Sequence, residues 1–478
     1  MLNKSEFKEP ETRRELGTTR GLAQFVVDTG FKNIPSEVIE AAKKAFMDCL
    51  GVAIAGTLEP GGDIIRSLVQ EVEAKPVAGV LGGGFRTAPL LAALANGTQA
   101  HLLDYDDSGA LPLPFHPSVP ILPVALASGE AQNASGKDIL LAYILGVEAE
   151  TKLAAAIKVS HFDHGWHPTA TLGTLGATAA SAKLLKLEAE QTEIALGIAS
   201  SLAGGLRQNF GTMTKPLHAG NAAQNGLMAT MLARKGFSAA PGILEAPVGF
   251  LNVFAGRGEY STEKLVTSLG KPFHFAHPGV AMKQYPSCRG THASIEALNE
   301  LLKDHTVLPE EIDKIECALS GPGLSDNSVS RPQPKSSLDG KFSVEHCLSV
   351  LLLDGEVGLK QFSPERVLDP RVEAMRKRVK VHFANDLLGE TERGHDLEAQ
   401  VIIKLKDGRQ LSHFKRLSKT EMGVPWSWED LIKKFTQCAN LALPREGVEE
   451  LIECLLHLEN VENTSHIVDL ALGPFGGV

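Results

Sequence analysis

Residues 169–187, which read TATLGTLGATAASAKLLKL, decide the fold of this chain. Alanine, glycine and threonine dominate the stretch. Side chains of this size let the backbones of neighbouring helices approach closely, as they do in a dense protein core. The stretch therefore predicts a buried central helix that is surrounded by other helices.

Helical periodicity extends to both sides of this stretch. Between about Pro35 and Gly270, apolar residues recur three and four positions apart, as on the buried face of a helix. The same spacing returns at Ser427, where Asp430 completes a capping pair, and it continues nearly to the end of the chain. These two parts predict a mainly α-helical domain.

The pattern changes after Pro278, where short stretches typical of β-strands alternate with helical ones. The strand-like stretches are residues 314–320, 379–383, 401–405 and 410–414. We therefore predict a mainly α fold with a smaller α+β domain. The helical domain consists of residues 1–278 and 425–478, and the α+β domain of residues 279–424 is inserted between them.

The charge of the chain limits the partners that it can bind. Lysine and arginine number 47 against 57 aspartates and glutamates, which gives a net charge of −10. Such a surface repels nucleic-acid phosphates and anionic lipids, so we expect neither nucleic acid nor a membrane as a partner. An anionic substrate would meet the same repulsion. A site for such a substrate must therefore be a local cluster of basic side chains inside a pocket.

The cysteines and the apolar runs predict a cytoplasmic protein. The six cysteines lie far apart and form no Cys-x-x-Cys pair, which favours reduced thiols. The first twenty residues mix acids with bases and contain no apolar run, unlike a secretory signal. Apolar runs such as residues 139–147 reach only about half of the roughly 20 residues that a membrane span requires.

Four segments concentrate polar residues in otherwise apolar or small-residue surroundings. They are LDYDDSG at 103–109 with His116-Pro117 after it, HFDHGWHPT at 161–169, GTMTKPLHAGN at 211–221, and KQYPSCRGTH at 283–292. Polar side chains in such surroundings are candidates for a site, so each segment is considered in turn.

The first segment imitates the start of a calcium-binding loop, with Asp104, Asp106 and Ser108 at alternate positions. The twelfth position is Phe115, where such a loop needs a bidentate glutamate, so we exclude calcium. Taken alone, the segment is equally compatible with an acidic turn at the end of a helix.

The second segment places His161, His164 and His167 three residues apart, which suggests a metal site. On a helix, however, this spacing rotates by about 60° at each step, and Pro168 prevents a regular helix from continuing. The segment also lacks cysteine ligands and a His-Glu-x-x-His motif, so we predict no metal. His167 is the better candidate for an acid or base, because imidazole titrates near neutral pH. His161 and His164 are interpreted as solvated loop residues.

The third and fourth segments supply cations near helix starts. Lys215 lies between Thr214 and Pro216 and enters a helix of small residues, where its ammonium could meet an anion. An ordinary surface lysine is the alternative. Lys283 and Arg289 precede a predicted helix N-terminus, which again favours anion binding.

In their order and spacing, these segments resemble the MmgE/PrpD family across nearly the whole chain. The matching blocks are LLDYDDSG at 102–109, FHPS at 115–118, WHPTATLGTLGATAASAKLL at 166–185, TKPLHAGNAAQNG at 214–226 and KQYPSCRGTH at 283–292. Members of the family include 2-methylcitrate dehydratase, cis-aconitate decarboxylase and iminodisuccinate epimerase. The resemblance implies a helical domain with an α+β lid, a homodimer, a small di- or tricarboxylate as substrate, and neither a metal nor an organic cofactor.

The resemblance also assigns roles to individual residues. It implies catalytic roles for Asp104, His116, His167, Lys215 and Lys283. Ser108, which stands where the decarboxylases have threonine, and Tyr285, Arg289 and His292 of the fourth segment are our candidates for substrate binding. Two features depart from the decarboxylases, namely a longer connection between Ser108 and His116 and the presence of Arg289.

The family reactions share one chemical requirement, which is the stabilisation of negative charge on a carbon next to a carboxylate. Lys215, Lys283 and Arg289 are candidates to stabilise the enolate-like oxygens. His116 and His167 can exchange protons, while Asp104 orients a neighbouring base. We therefore predict a cofactor-independent lyase, either a dehydratase or a decarboxylase, that uses His/Lys acid–base catalysis. The alternatives are an epimerase or isomerase of a small dicarboxylate and a non-enzymatic binding protein.

Overall fold

The computed structural model describes residues 17–109, 113–158, 160–321, 324, 326–384, 397–417 and 426–473. The α-helices before residue 270 are Thr18–Asp28, Ser36–Gly56, Pro60–Glu71, Pro89–Leu102, Ser118–Gln132, Gly136–Ala156, Ser160–Asp163, Pro168–Leu184, Ala189–Leu202, Thr214–Arg234, Phe250–Ala255 and Thr262–Ser268. Those that follow are His292–Asp304, Asp326–Val329, Ser337–Gly340, Val344–Asp354, Pro364–Val367, Pro370–Arg376, Trp428–Ala439, Arg445–Leu456 and Thr464–Ala471. The strands are Ala78–Gly79, Arg86–Thr87, Ser108–Gly109, Val280–Ala281, Ile312–Ser320, Val379–Phe383, Leu397–Leu405 and Gln410–Leu417. The predicted mainly α fold with a smaller α+β part is confirmed.

The central helix is Pro168–Leu184, and every residue in it except Lys183 is buried. It packs against the helices Gly136–Ala156 and Thr214–Arg234 on different sides. A Cβ atom on Gly226 would lie 2.6 Å from the Cβ atom of Ala177, so the two backbones touch at this point. Small side chains therefore allow the close packing that the sequence predicts.

A second close approach joins the helices Pro89–Leu102 and Thr214–Arg234. A Cβ atom on Gly97 would lie 2.8 Å from the Cα atom of Gly220, a distance that real Cβ atoms do not reach. The two helices therefore meet backbone to backbone. This contact brings the end of the first helix close to the start of the second, where the polar residues of the third segment lie.

The α+β part contains a four-stranded sheet with the order Val379–Phe383, Ile312–Ser320, Leu397–Leu405 and Gln410–Leu417. The first two strands are parallel, and the other neighbours are antiparallel. The helix His292–Asp304 packs against the sheet, because its residues Ile295, Leu298 and Leu301 are buried.

Two large hydrophobic cores divide the described residues. One is built from residues between Leu22 and Met282 and again between Leu431 and Ala471. The other is built from residues between Ala293 and Leu405. The domain limits 1–278, 279–424 and 425–478 stay a prediction, which we propose on the basis of these two cores. In the part of the chain that the structure describes, no helix has the length and hydropathy of a membrane span.

Candidate active site

The candidate active site begins where the helix Pro89–Leu102 ends. Asp104 follows it in the left-handed backbone region, with φ of 50°, a conformation that aspartate tolerates better than most residues. Four residues further on, Ser108–Gly109 pairs with Val280–Ala281 in a short antiparallel ladder. This ladder brings the segment that carries Lys283 alongside Asp104.

Two ammonium groups converge on the Asp104 carboxylate. Lys215 Nζ donates to Oδ1 at 2.8 Å, and Lys283 Nζ donates to the same oxygen at 3.0 Å. Lys283 also donates to the main-chain carbonyl of Asp104 at 2.7 Å. All three side chains are at most 3% exposed. Two buried cations therefore share one carboxylate, and the other carboxylate oxygen has no hydrogen-bond partner among the described residues.

A second carboxylate, Asp106, holds two imidazoles. His101 Nδ1 lies 2.9 Å from Asp106 Oδ1, and His116 Nδ1 lies 2.7 Å from Oδ2. His116 Nδ1 also lies 2.9 Å from the carbonyl oxygen of Asp107, which can only accept a hydrogen bond. His116 Nδ1 therefore carries a proton. Nε2, which lies 3.8 Å from Asp104 Oδ1, is then free to accept one.

His167 lies at the start of the central helix as its N-cap residue, and its backbone N–H donates to the carbonyl of Gly205 at 2.9 Å. Its Nδ1 lies 3.0 Å from Nδ1 of His218. The ring of His167 stacks at 6.2 Å from His101 and meets the edge of Phe210 at 5.0 Å. This histidine is therefore fixed from three sides and lies within the same cluster of rings as His101 and His116.

We call the eight residues His101, Asp104, Asp106, His116, His167, Lys215, His218 and Lys283 the central cluster. Within it, burial raises the pKa of Asp104, but Lys215 and Lys283 outweigh this effect and hold that pKa well below the ordinary value. Burial lowers the pKa of His101 to about 3 and that of His218 to about 4. Burial also lowers the pKa of His116 and, together with the charge of Lys215, that of His167. The imidazoles are therefore neutral near pH 7, while the carboxylates are ionised.

The structure brings together the five residues that the sequence suggested as catalytic, and Ser108 lies at their edge. The Ser108 hydroxyl is buried and donates to the carbonyl of Ala281 at 3.5 Å. Burial and the nearby charge of Arg289 and Lys283 hold the pKa of His292 well below its ordinary value, and Asp104 acts on it in the opposite direction. His292 is therefore a neighbour of the central cluster.

Tyr285 is oriented differently from the other suggested substrate-binding residues. Its hydroxyl donates to Glu296 at 2.5 Å and accepts from Asn299 at 3.0 Å, so it is bound to the helix His292–Asp304. The ring of His292 packs edge-on against it at 5.2 Å. Its hydroxyl thus supports the wall of the site and does not join the central cluster. Arg289 and His292 line a cavity beside Tyr105 and Lys434, and none of the described residues that line this cavity belongs to the central cluster.

Two regions of the chain match the models of known protein domains. Residues 20–263 match the MmgE/PrpD N-terminal domain, and residues 285–460 match the MmgE/PrpD C-terminal domain. The chain belongs to the MmgE/PrpD family. The family predicted from the sequence is therefore confirmed, as is the prediction of an MmgE/PrpD-type lyase.

Several MmgE/PrpD proteins of known activity are similar to this chain along most of its length. Cis-aconitate decarboxylase of Mus musculus is 32% identical over 95% of this chain and 93% of its own length. Cis-aconitate decarboxylase of Aspergillus terreus is 28% identical over 97% of this chain and 98% of its own length. The mitochondrial 2-methylcitrate dehydratase of Yarrowia lipolytica is 23% identical over 90% of this chain and 85% of its own length.

Part of the central cluster of this MmgE/PrpD protein also has the donor atoms of a metal site. Ligand atoms of His101, Asp104, Asp106 and His116 all lie within 4.8 Å of one another. However, the ammonium groups of Lys215 and Lys283 already occupy the surroundings of Asp104, and they would repel a cation placed there. The arrangement therefore favours an organic anion over a metal ion.

Sequence reasoning did not select three members of the central cluster, namely His101, Asp106 and His218. Two signals were present in the MmgE/PrpD blocks. Asp106 lies in the quoted LLDYDDSG block two residues after Asp104. His218 follows Lys215 by three residues on one helix and therefore shares a face with it. His101 lies just before its block and is recognisable only from the fold.

The interpretation of His161 as a solvated loop residue was wrong. Its side chain is fully buried, with Nδ1 lying 2.8 Å from the carbonyl of Phe254 and Nε2 lying 2.8 Å from the hydroxyl of Thr171. The short helix Ser160–Asp163 turns this side chain inward, where it anchors the start of the central helix. His164 is exposed, as the sequence predicts.

A further buried ion pair lies behind the central cluster. Lys434 Nζ lies 2.7 Å from Asp48 Oδ1, and it donates to the carbonyls of Tyr105 at 3.0 Å and Lys283 at 2.9 Å. It also lies 3.9 Å from the centre of the Tyr105 ring. Lys434 therefore holds together the two backbone segments that carry Asp104 and Lys283.

Proposed function

We propose that this protein is a lyase that acts on a small tricarboxylate, and that its reaction is the decarboxylation of cis-aconitate. The observation that carries the proposal is the convergence of Lys215 and Lys283 on Asp104 in a buried site with neutral imidazoles. Such a site attracts an anion and offers groups that exchange protons. The names of the similar decarboxylases supply the substrate.

In this reaction, one carboxylate of the substrate leaves as carbon dioxide. The electron pair of the broken carbon–carbon bond forms a new double bond, and the electrons of the original double bond move to the carbon next to a remaining carboxylate, whose oxygens share the charge. Lys215 and Lys283 stabilise the developing charge on the carboxylate oxygens, since they are held in a water-poor site before the reaction begins. A proton then adds to the carbon that received the electrons of the original double bond, so the reaction consumes one proton.

His116 is our candidate for the donor of that proton. It is neutral in the free protein, with Nδ1–H fixed by the carbonyl of Asp107 and Nε2 facing the side of Asp104. A bound tricarboxylate brings several negative charges into the site, and these raise the pKa of nearby imidazoles. The substrate itself thus promotes the protonation of Nε2, which makes His116 an acid. Asp106 stabilises the resulting imidazolium from the opposite side of the ring.

Dehydration of 2-methylcitrate is the second candidate, and the likeness to the dehydratase of Yarrowia lipolytica favours it. The same residues would serve this reaction in a different order. Neutral Nε2 of His116 would accept the proton next to a carboxylate, and a second acid such as His167 would protonate the departing hydroxide. Both reactions need the same stabilisation of charge by Lys215 and Lys283.

Turnover experiments separate these proposals. The purified protein is mixed in turn with cis-aconitate, 2-methylcitrate and iminodisuccinate, while carbon dioxide release, ultraviolet alkene absorbance and optical rotation are followed. Carbon dioxide released from cis-aconitate supports the decarboxylase, whereas alkene formed from 2-methylcitrate without carbon dioxide supports the dehydratase. A change of optical rotation alone supports an epimerase. Tight binding of a polycarboxylate without turnover would contradict all three enzymatic activities.

Three further features that the resemblance or the composition suggested are also proposals. We propose acid–base catalysis without a cofactor, a homodimer and a cytoplasmic location. The first is supported by the side chains of the central cluster, which provide both the cations and the proton-exchanging groups that the reaction needs.

A further inference from the structure

Lys341 is a buried lysine that neither the sequence pattern nor the proposed reaction uses. It directly follows the short helix Ser337–Gly340, and its main-chain carbonyl accepts a hydrogen bond from the backbone of Cys288 at 2.8 Å. The ring of the next residue, Phe342, lies 5.1 Å from Nζ of Lys215. Lys341 is therefore tied on one side to the segment that carries Lys283 and on the other to the surroundings of Lys215.

The ammonium group of Lys341 is poorly satisfied. Its side chain is 0% exposed, and Nζ makes no hydrogen bond with the residues that the structure describes. The carboxylate of Glu59 lies 3.6 Å away, beyond ordinary hydrogen-bond distance, and remains 22% exposed. Burying a cation with such weak compensation lowers the stability of the fold. Lys341 is nevertheless kept at a position where a strong anionic partner is missing.

Electrostatic effects place Lys341 close to the central cluster. Burial lowers its pKa, while the charges of Glu59 and Asp104 raise it and that of Lys283 lowers it again. Asp104 is already shared by Lys215 and Lys283 through direct contacts. Among the described residues, no carboxylate of the central cluster contacts Lys341. Its ammonium group is therefore available to a ligand.

We propose that Lys341 binds one carboxylate of the substrate and thereby makes the site prefer three carboxylates to two. The inference rests on the proposed function, because it assigns a third cation to a tricarboxylate. In the free protein, Glu59 is the distant counter-ion of Lys341. When the substrate binds, its carboxylate forms the close contact that Glu59 does not reach. Lys215 and Lys283 then remain for the part of the substrate where charge develops.

A purely structural ion pair with Glu59 is the competing explanation, and substitutions can separate the two. If Lys341 and Glu59 serve only to join two parts of the fold, Glu59→Gln and Lys341→Met should lower stability alike and leave ligand preference unchanged. If Lys341 binds the substrate, Glu59→Gln removes a competing anion. The Glu59→Gln variant should then bind a tricarboxylate as tightly as the wild type or more tightly.

The test is isothermal titration calorimetry with two unreactive probes, tricarballylate with three carboxylates and glutarate with two. The proteins are the wild type, Lys341→Met, Lys341→Arg, Glu59→Gln and the control Lys43→Met. Lys43 is a matched control, since it is also a buried lysine, but its ammonium pairs with Glu40 and Glu459. Thermal melting of each variant verifies that it is folded, and Lys341→Arg keeps the charge if Lys341→Met is too unstable to test.

We expect the wild type to prefer tricarballylate, and Lys341→Met to weaken tricarballylate binding by roughly 10- to 100-fold while changing glutarate binding by less than about 3-fold. Lys341→Arg should keep most of the preference, and Lys43→Met all of it. An unchanged preference in Lys341→Met would overturn the inference while leaving the proposed function intact. A wild type that binds neither probe would contradict the proposed function and this inference with it.

Discussion

Two buried sets of lysine and aspartate lie close together in this molecule, and they differ in how many lysines share one aspartate. Behind the central cluster, Lys434 is held by Asp48 and by two main-chain carbonyls. In the central cluster, Lys215 and Lys283 share the single carboxylate of Asp104. The first set is balanced, with one lysine for one aspartate, whereas the second is unbalanced, with two lysines on the same carboxylate oxygen.

The difference shows what each set can do. A balanced ion pair between backbone segments fixes their positions and gains nothing from a ligand. Two ammonium groups that share one carboxylate gain a further partner when an anion binds. The ion pair behind them already fixes the backbone segments that carry Asp104 and Lys283. Burial raises the pKa of Asp48 despite Lys434, whereas the pKa of Asp104 stays well below its ordinary value. The two aspartates therefore differ in the number of ammonium groups that contact them.

The largest expected effect comes from breaking the balanced set. Lys434→Met leaves Asp48 buried without its cation, which should lower the free energy of unfolding by about 3–5 kcal/mol. The double variant Asp48→Asn/Lys434→Met should recover much of this loss, because no isolated charge remains. Urea denaturation measures both variants. A Lys434→Met protein within about 1 kcal/mol of the wild type would show that this pair does not support the fold.

The next effect comes from the unbalanced set and should appear in catalysis instead of stability. Lys215→Ala and His167→Ala should each lower kcat by roughly 100-fold or more, since Lys215 stabilises the developing charge and His167 is the second imidazole of the site that can exchange protons. Steady-state kinetics with cis-aconitate and thermal melting of the same samples test the contrast with Lys434→Met. Near-normal turnover by either variant would remove that residue from the mechanism.

A smaller effect is the uptake of protons by the site when a tricarboxylate binds. The pKa values of His116 and His167 are lowered in the free protein, so both rings are neutral at pH 7. A bound tricarboxylate raises these pKa values, so binding should take up as much as about one proton, and the affinity should fall as the pH rises from about 6 to about 8. Calorimetry in buffers of different ionisation enthalpy measures the uptake. His116→Gln should reduce it, and binding without proton uptake at any pH would argue against the proposed acid.

Local patterns were sufficient to predict much of the fold. The strand predicted at 379–383 has the same limits in the structure, and those predicted at 401–405 and 410–414 lie within Leu397–Leu405 and Gln410–Leu417. The central helix was predicted at 169–187 and extends from Pro168 to Leu184. Apolar periodicity and turn residues are local properties, so a sequence reveals them directly.

The site was only partly predictable, because it is built from segments that meet through the fold. Asp104, His116, His167, Lys215 and Lys283 lie in blocks with recognisable motifs, and the structure brings them together. Lys341 and Lys434 lie in ordinary helical surroundings of the sequence. Their side chains are buried only because residues distant in sequence pack around them, and a local sequence pattern does not predict such contacts.

The central claim is that the ammonium groups of Lys215 and Lys283, which converge on Asp104, receive a tricarboxylate. A crystal structure of the protein with tricarballylate bound tests it most directly. The account predicts carboxylate oxygens within about 3.2 Å of Nζ of both Lys215 and Lys283. A saturating ligand bound elsewhere, with both lysines still contacting only Asp104, would contradict it.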